Sequence, residues 1–137
     1  MITHLTHWAK RKPDALFFCV QTDKQSIEYT FRRAHIAASA LARELQRHGL
    51  QPGATFACNM YNGAELVVLA LAAAYGGYTL ALLNPRLSAE ERQLRLVELE
   101  NATGEQGMDV FTNQIVNRLL IDATGFDAAS FGRLPSD

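Results

Sequence analysis

The sequence lacks most of the short motifs that mark a chemical activity. It contains neither the GxGxxG loop of dinucleotide-binding folds nor the GxxxxGK[ST] loop that holds triphosphates, and it has no GxSxG nucleophile turn. Its two cysteines, Cys19 and Cys58, lack the CxxC spacing of a redox pair or a zinc site. Both lie in apolar segments and are therefore predicted to be buried, reduced thiols, which favours a cytoplasmic protein.

An excess of one charge is also missing. The 137 residues include 13 basic and 14 acidic side chains, for a net charge of −1, so nothing favours a nucleic acid or a membrane as partner. His4 and His7 are three residues apart, but no third ligand is evident and no metal site is predicted. Residues 66–83 carry no charge, yet Gly76 and Gly77 interrupt them, so we predict a helix, a turn and a strand instead of a membrane span.

What is present is a regular alternation of strand-like and helix-like segments. Residues 16–20 and 26–30 predict an N-terminal β-hairpin. The alternation after it predicts an α/β fold, with a mostly parallel sheet and helices on both faces. The length fits one domain, 1–137, in which residues 124–137 form a weakly specified tail. The remaining predicted strands are 55–60, 78–83 and 108–112, and the predicted helices are 2–10, 31–48, 64–75, 89–100 and one from 113 onward.

Helix boundaries are marked by side chains that satisfy the free backbone groups of helix ends. Thr30 is predicted to cap one helix, and Asn62 with Glu65 is predicted to open the next. Gly76 is predicted to end that second helix in the left-handed conformation. Ser88 and Glu91 have the spacing of a capping box, which predicts another helix start.

Arg86 is the one candidate site residue that position alone suggests. It follows a predicted strand and the turn residues Asn84 and Pro85, and it directly precedes the helix start at Ser88. Ligands of open α/β sheets bind beyond the carboxyl ends of the strands, and helix N-termini attract anions, so an arginine here suits a phosphate. The alternative is a solvated arginine that pairs with Glu90 or Glu91. No catalytic residue and no metal ligand is predicted.

A set of short segments, taken together, resembles a known family. In chain order they are Pro13-Asp14-Ala15, Tyr29-Thr30, Ala40-Leu41-Ala42, GLQPG at 49–53, Asn62 with Glu65, Gly76-Gly77 and LNPRLSAEE at 83–91. Their order and spacing resemble the N-terminal region of AMP-forming acyl-CoA synthetases, the adenylate-forming ligases. The segment at 83–91 is most similar to the aryl-acid and o-succinylbenzoate CoA ligases. The resemblance covers residues 8 to 100.

The resemblance implies a two-step reaction for the parent enzyme. ATP, with Mg, would activate a carboxylic acid as an acyl-adenylate, and coenzyme A would then displace AMP to give a thioester. The position that matches Arg86 would reach a phosphate of coenzyme A. The family's phosphate-gripping loop, its adenine segment, its ribose-binding aspartate and its C-terminal lysine have no counterpart in these 137 residues. We therefore expect this chain alone to be inactive and to bind no cofactor tightly.

Three interpretations follow from this comparison. The first is an N-terminal fragment, a partial domain whose partner is the remainder of an acid–CoA ligase chain. The second is a stand-alone, non-catalytic α/β module that binds coenzyme A or another protein. The third is an unrelated flavodoxin-like domain. A fragment would have an open strand edge and an exposed apolar patch, so the first interpretation predicts self-association.

Overall fold

The computed structural model describes residues 2–23 and 26–132, which form strands and helices in alternation after an N-terminal helix. In chain order the elements are α1 (Ile2–Arg11), β1 (Leu16–Gln21), β2 (Ser26–Thr30), α2 (Phe31–Arg47), β3 (Thr55–Asn59), α3 (Ala64–Gly76), β4 (Thr79–Leu83), α4 (Ala89–Thr103), β5 (Val110–Phe111), α5 (Asn113–Thr124) and α6 (Ala128–Phe131).

Two separate sheets give the fold its form. β1 and β2 pair as an antiparallel hairpin, and the other three strands form a parallel sheet in the order β4-β3-β5. Since crossover connections between parallel strands are right-handed, α3 and α4 lie on opposite faces of this sheet. The predicted fold class, a parallel sheet with helices on both faces and an N-terminal hairpin, is confirmed.

The core lies on the face of the sheet that α3 covers. Phe56 and Cys58 of β3 and Phe111 of β5 point into it, together with buried residues of α2, α3 and α5. The apolar stripe of α2 is the one that the sequence predicts, namely Ala34, Ala37, Ala38, Leu41 and Leu45, all buried. Its alanines allow α2 to pack closely on α3.

Some local details differ from the sequence-based expectations. The sequence predicts Asn113 as the capping residue of α5, but the cap is Thr112, whose hydroxyl accepts a hydrogen bond from the Ile115 N–H, and Asn113 is the first helical residue. The last strand is only two residues long, Val110–Phe111, and α4 continues to Thr103. Each difference shifts a boundary, whereas every predicted element is present in the predicted order.

The end of α3 is formed by two glycines with different roles. The prediction that Gly76 takes the left-handed conformation is wrong: Gly76 is the last helical residue, and Gly77 has the positive φ of 75°. Gly76 has no room for a side chain because the ring of Tyr78 lies against it. The Tyr78 hydroxyl donates to the Leu50 carbonyl at 3.0 Å, which fixes the ring in that place.

The two cysteines have different environments. Cys58 is buried in β3, as predicted, and burial raises the pKa of its thiol. Cys19 is exposed, so the prediction of a second buried thiol is wrong. Cys19 points to the opposite side of β1 from its neighbours Phe18 and Val20, which pack against the core. Because β1 is apolar on both sides, its composition does not show that the side chain of Cys19 faces outward.

The chain beyond Thr124 packs onto the N-terminal part of the fold. Ala128 of α6 is fully buried, and its carbonyl accepts a hydrogen bond from the Tyr29 hydroxyl. Arg33 of α2 donates to the Phe131 carbonyl at 2.9 Å. Residues 133–137 of the predicted tail lie outside the described residues. The short helix α6 thus ties the hairpin and α2 together.

We predict that Tyr29→Phe lowers the free energy of unfolding by about 1 kcal/mol, because the buried Ala128 carbonyl loses one of its two donors and keeps only the Gly132 N–H. Urea unfolding followed by circular dichroism measures the change. The matched control is Tyr61→Phe, since that side chain is 65% exposed and its hydroxyl can bond to water. Equal effects of the two substitutions would contradict a structural role for the Tyr29 hydroxyl.

Candidate functional site

The carboxyl ends of the three parallel strands define the candidate site. Because the strands are parallel, the turns that follow them meet at one edge of the sheet. After β3 come residues 60–63, after β4 comes the turn at Asn84, Pro85 and Arg86, and after β5 comes Thr112. We call this edge the carboxyl edge.

The turn after β4 is held by the side chain of Asn84. Its Oδ1 atom accepts a hydrogen bond from the Arg86 N–H at 2.9 Å, and its carbonyl accepts one from the Leu87 N–H at 3.1 Å. An asparagine that bonds to the backbone two residues ahead forms an Asx turn, which fixes the direction of the chain. The backbone of Arg86 is therefore well defined at the carboxyl edge.

The guanidinium of Arg86 is exposed at this edge. Within residues 2–23 and 26–132, no salt bridge involves Arg86, whereas the sequence allowed one with Glu90 or Glu91. The Glu91 carboxylate instead accepts a hydrogen bond at the start of α4. The structure thus presents Arg86 to solvent at the position where the sequence placed it, and its role as a phosphate ligand stays a prediction.

The start of α4 is closed by its own capping box. The Ser88 hydroxyl accepts from the Glu91 N–H, and the Glu91 carboxylate accepts from the Ser88 N–H, both at 3.1 Å. Hydrogen bonding from the Ser88 backbone, and then from its hydroxyl, holds the pKa of Glu91 below its usual value. This cap is therefore complete at neutral pH and is lost as the pH falls through that lowered pKa.

The capping box changes how the helix start can interact with an anion. Two of its backbone donors are already used, and Glu90 and Glu91 place negative charge in the first turn of α4. The expectation that the α4 amides themselves attract a phosphate is therefore weakened. A phosphate at this edge would depend mainly on the Arg86 side chain.

The crevice between β3 and β5 is bridged by Asn113. Asn113 Oδ1 accepts from the Tyr61 N–H at 3.1 Å, and its Nδ2 donates to the Tyr61 carbonyl at 3.3 Å. The amide group thus replaces the backbone pairing that ends with β5 and joins the two strand ends.

Asn113 also belongs to a polar network that is centred on the carboxylate of Glu65. Its two carboxylate oxygens accept from the amides of Asn113 at 3.2 Å and of Asn117 at 3.0 Å. Asn117 in turn accepts from the Ala128 N–H at 2.9 Å, which connects the network to α6. The network links the starts of α3, α5 and α6.

Sequence reasoning did not find this network. It assigned Asn62 and Glu65 to the start of α3, but the N-cap is Gly63, which makes no side-chain cap hydrogen bond. A usable signal was the spacing of Asn113 and Asn117, since residues four apart on a helix share one face. Two asparagines on one face of α5 predict hydrogen bonds across an interface.

Two further polar atoms at buried positions have no partner within the described chain. They are Oδ1 of Asn59, the last residue of β3, and Nε of Arg92, in the first turns of α4. A buried acceptor or donor without a partner costs about 1–3 kcal/mol. The carboxyl edge and the helix above it therefore retain unused hydrogen-bonding capacity.

A groove of about 510 Å³ runs beside β4, next to the carboxyl edge. Residues of β4 and the turn after it line one side, and Arg95, Glu98, Leu99 and Ala102 of α4 line the other. The described residues bring together no group of three His, Cys, Asp or Glu side chains that would hold a metal ion. Nor does the described part of the chain contain a helix with the length and apolar composition needed to cross a bilayer.

Two solved structures share this fold. The N-terminal subdomain of Klebsiella oxytoca NpsA, in complex with 3-hydroxybenzoyl-AMSN, superposes with a TM-score of 0.71 at 19% identity, over 98% of this chain and 34% of that one. Bacillus subtilis o-succinylbenzoate coenzyme A synthetase, in complex with ATP and a magnesium ion, gives 0.67 at 24% identity over 85% of this chain and 33% of that one. These similarities establish the fold.

The family is shown by sequence. Residues 5–102 match the model of AMP-binding enzymes. The 2-succinylbenzoate–CoA ligase of Bacillus cereus (strain AH820) is 30% identical over 95 residues, which are 66% of this chain and 19% of that protein. The chain therefore belongs to the AMP-binding enzymes, the adenylate-forming ligases, and the predicted resemblance is confirmed. It spans about a fifth of the length of this curated relative.

We predict that Asn113→Ala lowers the free energy of unfolding by about 1–3 kcal/mol, because Glu65 and the Tyr61 backbone lose their shared partner. Gln114→Ala is the matched control, since Gln114 is the next residue of α5 and is exposed. Chemical unfolding of both variants measures the difference. A loss of the same size in both variants would mean that Asn113 does not join the strand ends.

Proposed function

We propose that this chain supplies the N-terminal part of an acid–CoA ligase. In this reaction a carboxylic acid attacks the α-phosphate of ATP, giving an acyl-adenylate and pyrophosphate, and the thiolate of coenzyme A then displaces AMP. Support comes from the family match and from the curated relative, whose name specifies 2-succinylbenzoate and coenzyme A. The acid used by the parent enzyme of this chain is a small-molecule carboxylate, and the proposed compartment is the cytoplasm.

Within that reaction we assign to Arg86 the binding of a phosphate of coenzyme A. The observation that carries this assignment is an exposed guanidinium, fixed by the Asn84 turn at the carboxyl edge and without an ion pair in the described residues. A guanidinium binds a phosphate by two parallel charged hydrogen bonds, which are stronger than neutral ones. ATP and Mg are proposed as co-substrates of the parent enzyme, and we place none of their contacts on this chain.

A second candidate function is a stand-alone module that binds coenzyme A without catalysis. The closed capping box and the bridged crevice favour it in one respect, because the hydrogen bonds that hold them are made within the described chain. Both candidates bind coenzyme A through Arg86. Only the first includes a reaction, which takes place on a longer protein. A titration with coenzyme A tests the binding, and a pyrophosphate assay tests the reaction.

We predict that coenzyme A binds to this chain and that Arg86→Ala weakens its affinity about tenfold, the worth of about one charged hydrogen bond. Arg86→Lys should retain part of the affinity, since the charge remains and the paired geometry is lost. Isothermal titration with coenzyme A measures both variants.

Arg43→Ala is the matched control for this titration. Arg43 is also an exposed arginine, but it lies beside Pro52, Gly76 and Tyr78, at the amino-terminal ends of the strands. Its removal should leave the affinity unchanged. If coenzyme A does not bind, or if the substitutions at Arg43 and Arg86 have the same effect, the assignment of Arg86 is wrong.

We also predict that the 137-residue chain releases no pyrophosphate from ATP and Mg with o-succinylbenzoate or benzoate. Adenylation needs a cradle of donors for the triphosphate, and the sequence contains no loop rich in Thr, Ser and Gly that ends in a lysine. A coupled pyrophosphate assay, with the Bacillus subtilis synthetase as positive control, measures this. Pyrophosphate release above the enzyme-free blank would contradict the prediction.

A further inference from the structure

Among the strands that the structure describes, none lies beside the outer edge of β4. In the described chain β4 is an edge strand and pairs only with β3. The Thr79 N–H donates to the Ala54 carbonyl, which sets the phase of the parallel ladder. In such a ladder alternate residues turn both backbone groups to the same neighbour, so Thr79, Ala81 and Leu83 face β3. The N–H and C=O groups of Leu80 and Leu82 therefore point outward, away from the sheet.

This edge carries none of the features that keep strands apart. Proteins protect an exposed edge with charged residues, proline, bulges or very short strands. β4 reads TLALL, without a charge or a proline, and its Leu82 side chain is 69% exposed. The opposite edge strand, β5, is only two residues long.

The neighbouring helix α4 extends this exposed surface. No residue of α4 is fully buried, and its Arg95 and Glu98 line the groove between α4 and β4. This groove is open along the same edge. We call the β4 edge together with Arg95 and Glu98 the open edge.

We propose that the open edge binds a second copy of this chain, with the two β4 strands antiparallel about a two-fold axis. The axis passes through Ala81, so that Leu80 of one copy lies opposite Leu82 of the other. These two residues are the ones whose backbone groups point outward, and in this register they exchange hydrogen bonds in both directions. The two parallel sheets become one six-stranded sheet, and Leu80 and Leu82 pack across the junction.

Two charged residues of α4, Arg95 and Glu98, are placed to form pairs across the same two-fold axis. Arg95 and Glu98 lie beside Ala81 and Leu82 along the groove, so the axis brings them close to their symmetry mates. Within one copy they form an exposed ion pair at 3.7 Å, with both side chains more than 60% exposed. Since α4 and its mate run antiparallel, Arg95 of one copy faces Glu98 of the other. A surface that is its own complement in backbone groups and in charge is what a two-fold interface requires.

The occupant is a second copy because the open edge complements itself both in the outward backbone groups of β4 and in the opposite charges of Arg95 and Glu98. A strand of unrelated sequence would satisfy the backbone but would not pair Arg95 with Glu98. The strand is short, so the interface belongs to the small class near about 1,000 Å² and the dimer dissociates in the micromolar range. The proposal does not depend on the ligase reaction or on Arg86.

The register is tested by cross-linking through position 81. In the proposed dimer Ala81 faces its own mate in a pair without hydrogen bonds, with Cα atoms about 4.5 Å apart, which suits a disulfide. In a Cys19→Ser background, Ala81→Cys should form a covalent dimer with oxidised glutathione. Thr79→Cys is the matched control, because residue 79 lies four positions from its mate's equivalent and should remain unlinked. Equal cross-linking of both variants would overturn the register.

The association itself is measured by sedimentation over roughly a hundredfold range of concentration. The unmodified chain should shift from monomer to dimer, and Leu82→Lys should stay monomeric because it places a charge in the junction. The matched control is Ile121→Lys, since Ile121 is 48% exposed on α5, away from β4. Circular dichroism verifies that both variants fold. A monomer at every concentration, or a dimer that survives Leu82→Lys, would overturn the proposal.

The charge match has its own test. Arg95→Glu and Glu98→Arg should each weaken the dimer, because each puts like charges opposite one another across the axis, and the double reversal should restore it. Unchanged dissociation constants in the single variants would show that α4 does not contact its mate. This chain can also be mixed with a fragment of a longer ligase. If it then forms a heterodimer but no homodimer, the edge pairs with that chain instead of a second copy.

Discussion

The burial of most of α3 is the constraint on which the rest of this structure depends. After Glu65 the helix carries no charge, and only its small residues Ala70 and Ala74 are exposed, so its leucine and valine side chains must be covered by other elements. It is covered by α2, α5, α6 and the sheet, and the alanines of α2 let that helix approach closely. The face of the sheet that holds α3 therefore collects the whole core. Of the elements in the described part of the chain, the opposite face receives only α4, which buries no residue completely.

The same arrangement decides which polar groups remain free at the carboxyl edge. Strand and helix ends leave backbone donors and acceptors unpaired, and short side chains must satisfy them. Asn113, Ser88 and Asn84 do so here, and each is thereby used within the chain. Arg86 differs because only its backbone is held, and its guanidinium extends into solvent. The polar side chains of the edge are thus fixed within the chain, and the Arg86 guanidinium projects from them.

Sequence patterns predicted the order and type of every element except α6, which lies in the predicted tail, because periodicity and capping are local. Thr30, Ser88 and Glu91 act within three or four residues of chain, and the structure confirms them. Contacts across the fold were missed for the opposite reason. The bonds of Glu65 to Asn113 and Asn117 span 48 and 52 residues, and nothing near Glu65 indicates them. Cys19 was misplaced because an apolar strand of a two-stranded hairpin covers the core with one side only.

The composition of β4 fits a strand with neighbours on both sides better than an edge. Parallel strands inside a sheet are continuous runs of apolar residues, and TLALL is such a run, while natural edges carry charge or proline. The relatives compared here are longer, and this chain spans between 19% and 34% of each. The outward groups of Leu80 and Leu82 can pair with only one strand at a time. A second copy and a further strand of a longer ligase would therefore compete for the same hydrogen bonds, and the affinity of the dimer measures how strongly this edge favours pairing.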